Sequence, residues 1–242
     1  MPLEGSTALI TGASRGLGRS IAAALAARGA AVACLARAGD DLDAAVVGLR
    51  GSGAQALAVA ADVTRAGEVE RAVREAAQWR GGLDIVVLNA GTWQGAPLHE
   101  TTEELWDHLL DLNLKGAFLT LKFALPHLLE KGRGTIVGIS SIGGWVGQPR
   151  SAAYAASKWG LRGLLESVAL EVKPAGVRVS IVSPHNMNSS GQPIEPGSEE
   201  RRRKLETAEV ADLVAYVCAA PDHVSIGNVT IWPLSAGIRT SG

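Results

Sequence analysis

The strongest constraint on the fold is an alternation: short, nearly continuous apolar runs take turns with segments of helical periodicity along most of the chain. Thr7–Ile10, Ala31–Leu35 and Ala56–Ala60 read as strands, each followed by a helix, from about Gly16, Asp41 and Ala66. The order continues with Leu83–Leu88, a long helix from Thr101 to Glu130, the strand Gly134–Ile139, a helix from Ser151 to Lys173 and the strand Val177–Val182. A strand that is apolar at nearly every position has both faces covered, as in a parallel sheet between helices. With right-handed crossovers, this order predicts a doubly wound, Rossmann-type α/β fold with a parallel sheet of about seven strands and helices on both faces. Such sheets bind ligands beyond the carboxyl ends of the strands, where strand order reverses, so functional residues are expected just after each strand.

After Val182 the periodicity fails. Ser183 to Gly197 is rich in Pro, Ser, Asn and Gly and reads as a loop, part of an expected substrate lid over 183–205. A last helix, Glu206–Ala220, and a last strand, Asn228–Trp232, follow. No repeat or linker divides residues 1–242, which suit one domain around one sheet. The hydrophobic fraction is 47% but the aromatic fraction only 4%, so the core is built from small aliphatic side chains, as helix-on-sheet packing allows. A formal net charge of −1 offers no field that would gather nucleic acid. Met1–Gly5 lacks the regions of a signal peptide, and the most apolar stretch, Ser20–Ala30, falls short of the ~18–20 residues of a membrane span. A cytoplasmic chain without a membrane partner or a metal is therefore expected. Cys34 and Cys218 lie in apolar surroundings and read as buried thiols of a reducing compartment.

Directly after the first strand comes Thr11-Gly12-Ala13-Ser14-Arg15-Gly16-Leu17-Gly18, opening an alanine-rich helix. Glycines there let the backbone turn sharply and approach a pyrophosphate, whose charge the helix N-terminus stabilises. The spacing is Gly-x-x-x-Gly-x-Gly. Arg15 stands where a cation opposes the helix dipole unless an anion joins it, and Arg37 follows the second strand behind the neutral Ala36. No acid occurs between Ala30 and Gly39 to accept from a ribose 2′-hydroxyl, whereas an arginine suits a 2′-phosphate; the expected cofactor is NADP(H). Asp62, in Ala61-Asp62-Val63-Thr64, is read either as an acceptor for the adenine amino group or as a cap for the next helix. Asn89-Ala90-Gly91 puts small residues where backbone must come close to a cofactor, or simply makes a turn.

In Tyr154-Ala155-Ala156-Ser157-Lys158 a phenol and an ammonium are four residues apart on one helix face. A neighbouring cation favours the phenolate and brings tyrosine closer to a pH at which it exchanges protons with a carbonyl or alcohol oxygen. Together with the glycine-rich turn, Asn89-Ala90-Gly91, Asn113 in Asn113-Leu114-Lys115-Gly116, and Ser141 thirteen positions before Tyr154, this pair resembles the short-chain dehydrogenases/reductases from Leu3 to about Trp232. The resemblance implies an oxidoreductase moving hydride between a nicotinamide and a carbonyl or secondary alcohol, of the ketone or 3-oxoacyl reductase type. It implies Tyr154 as general acid/base, Lys158 as the ribose ligand that lowers the tyrosine pKa, Ser141 as the donor to the substrate oxygen, and Asn113 as anchor of a water in a relay to Lys158. Ser140 is the neighbouring candidate, but the family spacing selects Ser141. Cofactor contacts are implied at Gly12, Ser14, Arg15, Gly16, Leu17, Gly18, Arg37, Asp62, Val63, Asn89, Ala90, Gly91, Tyr154, Lys158 and Pro184. A homotetramer or homodimer is implied, with Thr101–Glu130 and Ser151–Lys173 as contacts.

The chain departs from the family at several positions. Leu88 replaces the first asparagine of Asn-Asn-Ala-Gly, and Ser183-Pro184-His185-Asn186 stands where the family has Pro-Gly beside the nicotinamide. His185 is expected either to meet substrate or to point to solvent. The family's carboxamide-holding threonine aligns with Asn188 or Ser189. Trp93, Trp145 and Trp159 are candidate pocket walls, with core packing as the competing account, and Glu199–Lys204 reads as a solvated helix start. The rival reading of the whole is an NADP(H) sensor that turns nothing over.

Overall fold

The computed structural model describes residues 2–188 and 192–235. Its strands are β1 (Thr7–Thr11), β2 (Ala31–Ala36), β3 (Ala56–Ala60), β4 (Ile85–Leu88), β5 (Gly134–Ile139), β6 (Val177–Pro184) and β7 (Asn228–Ile231). All neighbours pair in parallel, in one sheet of order β3-β2-β1-β4-β5-β6-β7. The order reverses at β1, where Ile10 stands opposite Cys34 on one side and Val87 on the other. The helices are α1 (Gly16–Ala26), α2 (Asp40–Gly51), α3 (Ala66–Arg80), α4 (Glu103–Leu110), α5 (Gly116–Lys131), α6 (Ala152–Val172), α7 (Glu199–Arg203) and α8 (Thr207–Cys218).

Successive strand residues point to opposite faces. Ala8 and Ile10 join Val32, Cys34 and Val87 under Ile21 and Leu25 of α1 and Val210 and Val214 of α8. Leu9 joins Leu35, Val86 and Ile136 under Val73 of α3, Leu128 of α5 and Leu161 and Leu165 of α6. Two cores flank one sheet, which is why the strands read as unbroken apolar runs. Both thiols are buried and free, and burial pushes each up to about 12. Among the described residues no helix is long and apolar enough to cross a membrane.

Three expected boundaries move for identifiable reasons. The long helix is not continuous: α4 starts at Glu103 because Thr102 Oγ1 caps it by accepting from Leu105 N–H at 3.2 Å. A π turn, Asp111–Lys115, then separates α4 from α5. β6 runs two residues into the expected loop, since Ser183 and Pro184 pair with Thr230 and Ile231. The expected lid also contains α7, opened by Ser198 Oγ accepting from Arg201 N–H at 3.1 Å.

Candidate active site

At the strand-order reversal the chain leaves β1 and enters α1 through the glycine turn. Gly12 has φ +68°, and a Cβ on Gly18 would lie 2.1 Å from the Gly12 carbonyl oxygen, so no side chain fits there without moving backbone. Thr11 and Asn89 knot this turn to the end of β4. Thr11 Oγ1 donates to Val87 O (3.3 Å) and accepts from the N–H groups of Asn89 (2.9 Å) and Ala90 (3.0 Å). Asn89 Nδ2 donates to the carbonyls of Thr11 (2.9 Å) and Gly12 (3.3 Å). The first turn of α1 holds no acid, and Arg15 at its N-cap makes no side-chain cap. Its leading N–H groups and the positive end of its dipole are therefore not neutralised by the chain's own side chains. Ser14 is half-buried, and Leu17 is buried in the core, so anything Leu17 offers a ligand is main chain.

Arg37 is exposed just past β2, close enough to act on Asp62. Burial works to raise the Asp62 carboxyl, but bonds from Thr64 N–H (2.9 Å) and Thr64 Oγ1 (2.8 Å), with the charges of Arg65 and Arg37, outweigh it and hold the group below its ordinary value. The helix-cap reading of Asp62 is not realised: α3 is entered through Arg65, three residues on, and Asp62 turns onto Thr64 instead. Val63 is buried against Gly116, where a Cβ would come within 2.9 Å of Val63 Cγ2.

β5 ends at the two serines. Ser140 donates its N–H to Val182 O at 2.8 Å, and its Oγ is buried without a hydrogen-bond partner among the described residues. Ser141 instead caps the one-turn helix Ile142–Gly144, its Oγ accepting from Gly143 N–H at 3.1 Å. A Cβ on Gly143 would lie 3.1 Å from Tyr154 Cε1, so the glycine lets the phenol ring lie against this turn. Burial raises the Tyr154 pKa, and its contact with Ser141 works the other way without cancelling the rise. The lowering expected from Lys158 is not seen: burial and Ser141 alone set the shift, and it is upward.

Lys158 lies one turn along α6 from Tyr154 and is buried. Its Nζ donates to Ile139 O at 2.9 Å and stands 5.9 Å from the Tyr154 ring centroid. Burial pulls this ammonium down to about 8. Asn113 reaches the same place from the π turn, where Gly116 N–H donates to Asp111 O five residues back; the extra residue in the turn changes which side chains face inward. Asn113 Oδ1 accepts from Thr92 N–H (2.8 Å), and its Nδ2 donates to Thr92 O (3.0 Å) and Ser157 Oγ (3.0 Å). Ser157 Oγ donates in turn to Tyr154 O at 2.7 Å. The Asn113 side chain is thus committed to protein partners. A Cβ on Gly91 would lie 2.9 Å from Asn113 Oδ1 and 3.6 Å from Lys158 Nζ, so β4, β5, the π turn and α6 converge here. Sequence reasoning assigned no role to Thr11, Thr92 or Ser157. Thr11 opens the glycine-rich motif and Ser157 lies inside the Tyr154–Lys158 motif, so both had a visible signal; Thr92 had none.

The altered loop takes an unforeseen form. His185 does not point outward: its ring stacks on Trp232 with centroids 4.5 Å apart and planes 15° apart. Its Nδ1 is buried without a hydrogen-bond partner among the described residues, and burial lowers its pKa. Its N–H donates to Ile231 O at 3.0 Å, prolonging the pairing of β6, beyond Pro184, with β7. The left-handed residue is Asn186, at φ +41°, so histidine replaces glycine without positive φ. Asn188 is buried and donates to Gln192 O (2.6 Å) and Glu206 Oε2 (3.0 Å); Ser189 lies outside the described residues. Glu199–Lys204 forms the solvated helical turn expected, with pairs Glu199 to Arg203 and Glu200 to Lys204. Core packing accounts for none of the three tryptophans: Trp93 and Trp159 are exposed, and half-buried Trp145 donates Nε1–H to Ser183 Oγ at 3.0 Å beneath the Arg162 guanidinium.

The sequence pattern of the short chain dehydrogenase family matches residues 6–194. The chain belongs to that family. This short-chain dehydrogenase is 40% identical over 179 residues to the 3-oxoacyl-[acyl-carrier-protein] reductase FabG of Staphylococcus aureus, covering 74% of this chain and 73% of that one. It is 33% identical over 240 residues to the glycine betaine reductase ATRR of Emericella nidulans, covering 96% of this chain but spanning only 19% of that protein. Among solved structures it resembles a metagenomic short-chain oxidoreductase in complex with NADP, at 35% identity and a TM-score of 0.84, covering 96% of this chain and 98% of that one. Membership makes the chain an oxidoreductase of the CH–OH/C=O class that uses a nicotinamide dinucleotide.

Proposed function

We propose that this short-chain dehydrogenase is an NADP(H)-dependent reductase of ketones or 3-oxoacyl-type substrates, a single domain working in the cytoplasm as a homodimer or homotetramer. The observation that carries the reading is the convergence of Ser141, Tyr154, Lys158 and Asn113 at the carboxyl ends of β4 and β5, beside a glycine cradle with two arginines that have no ion pair among the described residues. The cradle fits a dinucleotide: Gly12 and Gly18 leave room only for backbone, and the start of α1 offers N–H groups to a pyrophosphate. Residues 12–18, with Asp62, Val63, Asn89, Ala90, Gly91 and Pro184, would hold it, and Arg37 and Arg15 would take a 2′-phosphate. The bound cofactor supplies the hydride donor or acceptor. Tyr154 Oη gives a proton to the substrate oxygen or takes one from it, while Ser141 Oγ donates a hydrogen bond to the same oxygen and stabilises charge developing there. Lys158 would bind the ribose. Asn113 and Ser157 hold α6 against the β4 end. The FabG likeness supports a 3-oxoacyl-type substrate, and the NADP-bound neighbour supports the phosphorylated cofactor. The described residues of the expected lid beyond β6 would cover the substrate, tied to the start of α8 by the Asn188–Glu206 bond.

The reading is tested by titrating NADPH and NADH against the protein by fluorescence, then assaying ketones, aldehydes and 3-oxoacyl thioesters. NADPH should bind at least about tenfold tighter than NADH, Arg37→Ala should erase that preference, and Tyr154→Phe should cost about 10²–10⁴ in kcat while keeping NADPH affinity. NADPH binding with no turnover on the panel would establish the sensor instead.

A further inference from the structure

We infer that the substrate of this reductase carries an anionic group at the end of an apolar chain, received by Arg202 and Lys204 in a recess walled by Trp232. This rests on the reductase reading above. The recess has a volume of about 320 Å³ and lies between α7 and the segment following β7. Its apolar wall is Leu205, Trp232, Pro233 and Leu234, and its charged lining is Arg201, Arg202, Lys204 and Glu209. Three cations and one acid line it, and Glu200 lies beside Lys204 just outside the lining. Arg201 is committed to Glu209 at 2.5 Å, and Lys204 shares a solvated pair with Glu200 at 2.7 Å, of a kind that contributes little. Arg202 has no ion pair among the described residues. A guanidinium beside an apolar recess is best matched by a carboxylate or phosphate, and the aromatic wall by methylene groups between that anion and the reacting carbonyl.

The recess is linked to the turn beside the phenol through the end of β6. The face of Trp232 is stacked by His185, which follows Pro184 at the end of β6. Ser183 accepts the indole N–H of Trp145, at the end of the turn that Ser141 opens against Tyr154. From the other side, Asn186 Nδ2 donates to Arg203 O at 2.6 Å, and Leu205 N–H donates to Asn186 O at 3.0 Å, tying the end of α7 to the residue after His185. These bonds tie the end of β6 to the turn beside the phenol on one side and to the end of α7 on the other.

The test compares two ketones of one skeleton, 8-oxononanoate and 2-nonanone, with NADPH, and measures octanoate binding to the protein alone by calorimetry. The carboxylate should win in kcat/KM by at least about tenfold, and the ratio should shrink as salt rises from about 0.05 M to about 0.5 M. In the Arg202→Gln/Lys204→Gln variant the ratio should fall to within about twofold of unity and octanoate should bind at least about tenfold more weakly, with the thermal midpoint held within a few degrees. Equal kcat/KM for the two ketones, or a ratio and an octanoate affinity that the double variant leaves untouched, would overturn the inference. The salt series on the parent decides it even if the variant does not fold. Reduction of neither ketone, or of any carbonyl, with octanoate binding still lost in the variant, would refute the reductase reading while leaving an anion site.

Discussion

Lys158 shows how a residue suited to catalysis burdens the fold. Its amine is buried with one carbonyl partner, Ile139 O, and burial pulls its pKa from 10.5 to about 8. Between those values the unfolded chain binds more protons than the folded one, so this group makes stability rise with pH from about 8 towards 10.5, and below 8 the full cost of burying the charge is present. Lys158→Met should abolish turnover yet stabilise the protein at pH 7 by about 1–2 kcal/mol, because the removed burial cost exceeds the lost hydrogen bond. Urea unfolding without dinucleotide, at pH 7 and at pH 9.5, reads the effect as a gap between parent and variant that narrows at the higher pH. Cys34, Cys218 and Tyr154 also titrate above pH 9 but are common to both proteins. An equal gap at both pH values would contradict the burial argument. The pairing of Tyr154 with Lys158 was legible because helix periodicity puts them on one face, whereas Ser141 was chosen over Ser140 only through the resemblance to the family's spacing. The stacking of His185 on Trp232 was not legible, since the two are brought together only by the pairing of β6 with β7.

At the level of elements, the β1 to α1 turn is the most sterically demanding part of the site. Ala at Gly18 would place Cβ 2.1 Å from Gly12 O and 2.5 Å from Asn89 Nδ2, contacts that only a backbone shift can relieve. Gly18→Ala should therefore weaken NADPH at least about tenfold and destabilise by about 1–3 kcal/mol. Gly48, exposed in α2, would place Cβ no nearer than 3.8 Å to the tip of Arg19, so Gly48→Ala should instead stabilise by about 0.5–1 kcal/mol. Thermal unfolding and fluorescence titration of the two variants side by side check this; an opposite ranking would refute the steric account. The π turn between α4 and α5 is the element least legible from sequence. Its apolar spacing there still reads as helix, and the extra residue is stabilised by bonds from Asn113 to Thr92 and Ser157, both far along the chain.

For the whole molecule, exposed apolar side chains lie on the helices proposed as contacts: Trp106 on α4, Phe118 and Leu129 on α5, and Trp159 and Leu170 on α6. Leu170 is 78% exposed, the most open of these. Scattered exposed apolar residues are ordinary, but five on three neighbouring helices suit a partner copy. Sedimentation should find a dimer or tetramer at micromolar concentration, and Phe118→Glu/Leu170→Glu should shift it to monomer. A monomeric parent would refute the proposed assembly.

Local chemistry in the chain determined the alternation of strands and helices, the glycine turn ahead of α1, and the shared helix face of Tyr154 and Lys158, because each depends on periodicity or on neighbours a few positions away. Tertiary structure alone decided what the polar groups bond to. Asn89 serves Thr11 and Gly12, Asn113 serves Thr92 and Ser157, and Lys158 serves Ile139, since a buried polar group must find a partner and the partner it finds is set by which strand ends the sheet brings together.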